Sequence, residues 1–206
     1  MAGRIDEAVS FLMGAWRSRP LSKRVLSAVA VLMAISGSTM LAYPWLTDIY
    51  SSRAQSKLSG EFALPDLKTR FSSGKIDDGE VLLRIIIPKI GVDALIVEGT
   101  DANSLRAGAG HYKRTALPCQ PGNVGIAGHR TTYGKPFNRI DELVPGDEIT
   151  LITPFEKCSY RAVPATKNLP KPRVGAAAWI TRPDDGAVLG PLEGSFLTLT
   201  TCHPKG

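Results

Sequence analysis

Histidine and cysteine are scarce in this chain, with three of each in 206 residues. No two of them stand at ordinary metal-ligand spacing, which argues against a zinc site built from Cys202, His203, His129 and His111, and no metal or other cofactor is expected. Arginine-rich stripes interleaved with aromatics are also missing, so the net charge of +6 does not point to nucleic acid. Residues 1–45 carry five positive and two negative charges, half of that excess, which leaves +3 for the remainder. Such a balance allows mild affinity for anionic polymers or lipid head groups and little more.

Charge is absent altogether from Val25 to Leu46. This run has about the 20 residues that a helical membrane crossing requires, and Ser36-Gly37-Ser38-Thr39 dilutes it without breaking it. Arg4, Arg17, Arg19, Lys23 and Arg24 precede the run and Asp48 follows it, so the positive-inside bias keeps the N-terminus cytoplasmic and puts the bulk of the chain outside. Reading Val25 to Ala34 as the apolar core of a cleaved signal would need an unusually long basic region and a poor cleavage site at Ala34-Ile35-Ser36. An uncleaved anchor is therefore expected. Upstream, Ile5, Val9, Leu12, Met13 and Trp16 share a helical face, so residues 5–16 either lie along the inner membrane surface or form a disordered tail.

An exported domain lives where disulfides persist, and the cysteine count is odd. Cys119 and Cys158 could pair and leave Cys202 free, or all three could stay unpaired; sequence does not supply the geometry that decides.

After the membrane, residues 51–80 are polar and show no sustained periodicity, as in a stalk. Val81 to Ile87 reads as a strand stopped by Pro88, and Asp93 to Glu98 as its hairpin partner. Residues 99–122 are punctuated by glycine and allow only a short helix around Ser104 to Ala107. A strand over Asn123 to Arg130 follows, with Val124 and Ile126 on one face and His129 projecting from the other at its end. A helical turn is expected from Asn138 to Leu143, and further strands at Glu148–Thr153 and Ser159–Val163. Residues 164–194 hold five prolines and four glycines, too broken for long elements. The last strand, Ser195 to Cys202, puts Leu197, Leu199 and Thr201 on a core face and Cys202 on the opposite one, at the end where Pro204 stops regular pairing. Six or more short strands with little helix predict an all-β barrel or sandwich.

Gly110-His111-Tyr112, then Gly122-Asn123-Val124-Gly125-Ile126-Ala127-Gly128-His129-Arg130, and finally Thr198-Leu199-Thr200-Thr201-Cys202 resemble in order and spacing the signature of sortases, the membrane-anchored cysteine transpeptidases of Gram-positive cell surfaces. The resemblance covers about residues 81–204. Within the family, His129-Arg130-Thr131-Thr132-Tyr133-Gly134 with Pro136-Phe137, and Pro145-Gly146-Asp147 after it, look most like class E. The resemblance implies an eight-stranded sortase β-barrel. It also implies cleavage of an LAxTG- or LPxTG-type sorting signal between Thr and Gly, a thioester intermediate, and transfer to a cell-wall precursor amine. Its partners would be secreted proteins bearing a C-terminal sorting signal, the peptidoglycan precursor amine and the membrane, with no cofactor.

By the same resemblance Cys202 is the nucleophile and His129 the acid and base, a division of labour that suits a thiolate acyl carrier beside an imidazole. Thr201, Tyr133 and Thr131 are the implied substrate contacts. Thr201 reads equally as a β-branched core residue, and Tyr133 as a loop aromatic capping the barrel. His111 is expected to be a hydrogen-bonded structural residue and His203 an exposed loop residue.

Two departures follow. Sortases carry an oxyanion-stabilising arginine on the strand after the cysteine strand, and the sequence ends at Gly206 without either. Arg130 is not expected to substitute, because strand alternation turns its side chain away from that of His129. Cys119 falls where the family commonly has glycine. The organisation expected is 1–24 cytoplasmic segment, 25–46 transmembrane signal anchor, 47–80 extracytoplasmic linker and 81–206 catalytic domain, C-terminally incomplete. The alternative is a catalytically impaired or dead membrane-tethered barrel that binds sorting signals or wall material.

Overall fold

The β-branched run Val81-Leu82-Leu83-Arg84-Ile85-Ile86-Ile87 favours a pleated, well-buried strand, and it becomes the centre of the sheet. In the computed structural model, which describes residues 20–164 and 177–204, it is strand β1 (Val81–Ile87). A 3-10 turn at Pro88–Ile90 leads to Gly91, whose φ of 69° suits glycine, and β2 (Val92–Glu98) returns antiparallel to β1. The remaining strands are β3 (Ala109–His111), β4 (Gly122–Ala127), β5 (Glu148–Ile152), β6 (Lys157–Arg161) and β7 (Ser195–Thr200). They form one seven-stranded sheet in the order β6-β5-β1-β2-β3-β4-β7. The expected all-β barrel is met as a nearly closed seven-strand barrel. Sequence reading had passed over β3, because three residues are too few to show a period.

Leu83, Ile85, Ile87, Ile96, Val124, Ile126 and Leu151 fill the interior, and Leu197 and Leu199 of β7 pack against it as expected. On the other face of β1 and β2, Val81, Leu95 and Val97 form a second cluster with Leu58 and Leu67, which come from helices.

Those helices correct the stalk. Helix α1 runs from Leu21 to Phe62, and α2 spans Asp66–Ser72. Contacts divide the chain between Tyr43 and Pro44. N-terminal to that division, Leu26, Met33 and Leu41 are exposed, and α1 contains a window of mean hydropathy 2.0, long and apolar enough to cross a membrane. C-terminal to it, α1 buries Thr47, Ser51 and Leu58 along one helical stripe. Gln55 lies on that stripe. Its Nε2 donates to Leu95 O (3.0 Å) and Ala107 O (3.2 Å), and Leu95 N–H donates to its Oε1 (2.7 Å). The side-chain amide thus satisfies Leu95 of β2 just before β3 begins pairing at Ile96–Ala109. A docking stripe made of Thr, Ser and Gln carries no hydrophobic period, so pattern reading took it for linker. The amphipathic reading of residues 5–16 lies outside the described residues.

Candidate active site

Parallel neighbours need a crossover, and two crossovers build the site. Helix α3 (Ala102–Ala107), capped at its start by Asp101, joins β2 to the parallel β3. The long segment after β6 brings β7 alongside β4, also parallel. Their register runs from Gly122–Ser195 to Ala127–Thr200. Beyond the last pair, Gly128 N–H donates to Thr200 O (3.0 Å), and the Thr201 hydroxyl donates to Gly128 O (2.7 Å). His129 and Cys202 are each the second residue past the same register pair. Equal offsets past one register pair on adjacent parallel strands bring both residues to the same end of the sheet.

Cys202 is exposed and carries a free thiol. His129 is half-buried, and that burial pushes its imidazole below the ordinary value of about 6.5. Its ring lies 5.1 Å from that of Tyr133, tilted by 35°. Tyr133 is half-buried and Thr131 exposed in the loop after the histidine. The strand can end here because Gly128 has no side chain: a Cβ would come 2.6 Å from Phe137, whose fully buried ring supports the loop from beneath. Phe137 N–H then donates back to His129 O (3.2 Å).

Arg130 makes a contact that strand alternation does not announce. Its guanidinium is nearly fully buried and reaches across to the cysteine strand, where Nη1 donates to Cys202 O (3.2 Å) and Nη2 pairs with Asp141 (3.0 Å). Asn138 donates to Arg130 O (2.7 Å). A long side chain spans the gap to the segment after β7. Arg130, Asn138 and Asp141 were missed by sequence reading; a basic residue directly after the strand-end histidine was their one signal.

The structure gives Thr201 a strand-stitching bond and sets Tyr133 against His129. His111 is buried, with Nδ1 on Glu98 (3.0 Å) and Nε2 on Ala116 O (3.0 Å), and His203 is exposed. Cys119 and Cys158 form a disulfide, with Cα atoms 5.6 Å apart, so the pairing left open by the sequence is made.

A family model, the sortase domain, matches residues 85–206. The chain belongs to the sortase family. Sortase SrtE1 of Streptomyces coelicolor is 30% identical over 201 residues, covering 86% of this chain and 53% of that protein, so the chain spans about half the length of this relative. A Clostridium perfringens sortase D5 transpeptidase structure is similar with a TM-score of 0.60 and 28% identity, over 76% of this chain and 91% of that one. Sortase E of Streptomyces avermitilis is similar with a TM-score of 0.53 and 33% identity, over 63% of this chain and 84% of that one.

Proposed function

We propose that this sortase is a membrane-anchored cysteine transpeptidase of class E type, with Cys202 as nucleophile and His129 as acid and base. The observation that carries the reading is the shared register of β4 and β7, which brings a free thiol and an imidazole to one sheet end. The Cys202 sulfur attacks the Thr carbonyl of an LAxTG- or LPxTG-type signal while its proton passes to His129. Collapse of the tetrahedral intermediate breaks the Thr–Gly bond, with His129 protonating the leaving amine and a thioester remaining. An amine of a cell-wall precursor then attacks the thioester and gives its proton to His129, and the thiolate departs. Thr131, Tyr133 and Thr201 contact the signal and the acyl group. The N-terminus is cytoplasmic and the barrel outside, in keeping with basic residues before the apolar run and a disulfide after it. Segment 1–24 is cytoplasmic, 25–46 spans the membrane, and 81–206 is the catalytic domain.

Because burial disfavours the imidazolium, His129 is neutral down to a lower pH than an exposed histidine. The acid limb of kcat/KM is therefore expected to have its midpoint below about 6.5. A midpoint above about 7 would mean that the group limiting the acid limb is not a desolvated imidazole. Folding follows the same sign: the contribution of the neutral ring is present above about 6.5 and is lost as pH falls through the lowered folded value.

To test the reading, the full chain in lipid nanodiscs is offered an LAxTG peptide bearing a thiol-reactive group in place of the scissile bond. Labelling of the parent and none of Cys202→Ala supports a nucleophilic Cys202. Labelling absent from a folded parent would leave a barrel that only binds.

A further inference from the structure

The loop after His129 takes support from α1 as well as from its own residues. Tyr133, Gly134 and Lys135 are three consecutive residues in the left-handed region, with φ of 51°, 73° and 40°. Within the loop, Lys135 N–H donates to Thr132 O and Asn138 N–H to Lys135 O. Phe137 N–H donates to His129 O and the Asn138 side chain to Arg130 O, and further partners come from α1. Asp48 accepts from Gly134 N–H at 3.0 Å through one carboxylate oxygen and from Lys135 Nζ at 2.9 Å through the other. Ser51 packs so closely that a Cβ on Gly134 would stand 2.8 Å from its Oγ. Tyr50 meets Tyr133 edge to face, with centroids 6.2 Å apart and planes at 83°. Tyr133 in turn lies against His129.

We propose that Asp48 and Tyr50, in the stretch of α1 that directly follows the uncharged run, are positioning residues of the active site: they fix the left-handed loop and, through Tyr133, the ring of His129. Neither touches substrate. Asp48 holds the loop backbone by its acceptor oxygens, and Tyr50 supplies a wall against which Tyr133 rests. The stretch of α1 that carries Asp48 and Tyr50 is then part of the catalytic apparatus. This rests on the reading of His129 as acid and base, but the geometry it asserts can be measured without turnover.

The full chain in nanodiscs, labelled with 13C-histidine, gives three imidazole signals, one for each histidine; His129→Gln assigns the one of interest. Asp48→Ala and Tyr50→Ala are expected to shift the His129 ring signals and to leave those of His111 and His203 in place. Acylation by a sorting-signal peptide should fall about 10- to 100-fold, as a displaced catalytic group does, while peptide affinity changes little. Asp48→Asn, which keeps an acceptor for Gly134 N–H, and Tyr50→Phe, which keeps the ring, should restore most of the rate and the parent signals. Unchanged His129 signals in both alanine variants would overturn the proposal, whatever the activity. If the parent does not acylate at all, the catalytic reading fails, while the ring signals still report whether α1 positions the histidine.

Discussion

Replacing Cys119 and Cys158 together by serine is expected to destabilise the barrel by about 4 kcal/mol, the chain-entropy value for a closed loop of this length. The bridge spans a sequence separation of 39 residues. Cys119 lies in the loop entering β4, beside the β7 end of the sheet order, and Cys158 lies in β6 at the other end. The disulfide therefore ties together the two ends of the sheet where β6 and β7 do not pair. The segment it encloses contains β4, His129 and the loop after it. For a domain of this size 4 kcal/mol corresponds to a fall in Tm of roughly 8–16 °C. Thermal unfolding of the full chain with and without the two serines checks it. Amide exchange should rise first in β6 and in the 112–121 loop, since the central β1–β2 pair keeps both neighbours. A change in Tm of under about 2 °C would mean that packing alone closes the sheet.

Replacing His129 by glutamine is expected to slow acylation of Cys202 by about 10²–10⁴-fold, the range for loss of a general acid–base group, with little change in stability. Glutamine keeps a polar side chain of similar reach at a half-buried position, so the barrel should fold. Cys202→Ser should be slower still, because a serine hydroxyl at this position lacks the thiol's nucleophilicity and a strong base to activate it. Both rates are read from the acylation step under single-turnover conditions, which separates the chemistry from transfer to the amine. Arg130 gives the contrast. It holds the Cys202 backbone and not the thiol, so Arg130→Lys, which cannot bridge Cys202 O and Asp141 with a planar fork, should lower the rate through geometry and raise exchange at the end of β7. The rate alone would not distinguish these roles; the exchange does.

Much of this site could be read in the sequence because strands make alternation legible. Val124 and Ile126 facing inward placed His129 outward, and Leu197 and Leu199 did the same for Cys202. What alternation does not supply is which strands lie side by side: the parallel pairing of β4 with β7 crosses about seventy residues of chain, and the resemblance to sortases, not any local signal, linked the two ends. The helix behind the site was hidden for another reason. Gln55 and Asp48 bind backbone groups of the barrel, and such contacts leave a polar stripe indistinguishable from a solvated linker. The contact of Arg130 with Cys202 O was not legible because direction at Cβ says little about where a guanidinium several bonds away arrives. The disulfide stayed open until the structure brought residues 119 and 158 together, since pairing is a property of space and not of spacing.

The central claim is that Cys202 carries the acyl group and that His129 drives its formation. Intact-mass spectrometry of the full chain in nanodiscs, quenched in acid after brief exposure to an LAxTG peptide, tests it most directly. The expected result is an adduct of the peptide up to and including its threonine, on Cys202, cleared by an added amine, sharply reduced in His129→Gln and absent from Cys202→Ala. Peptide bound without a covalent adduct, or an adduct that persists in Cys202→Ala, would contradict the account.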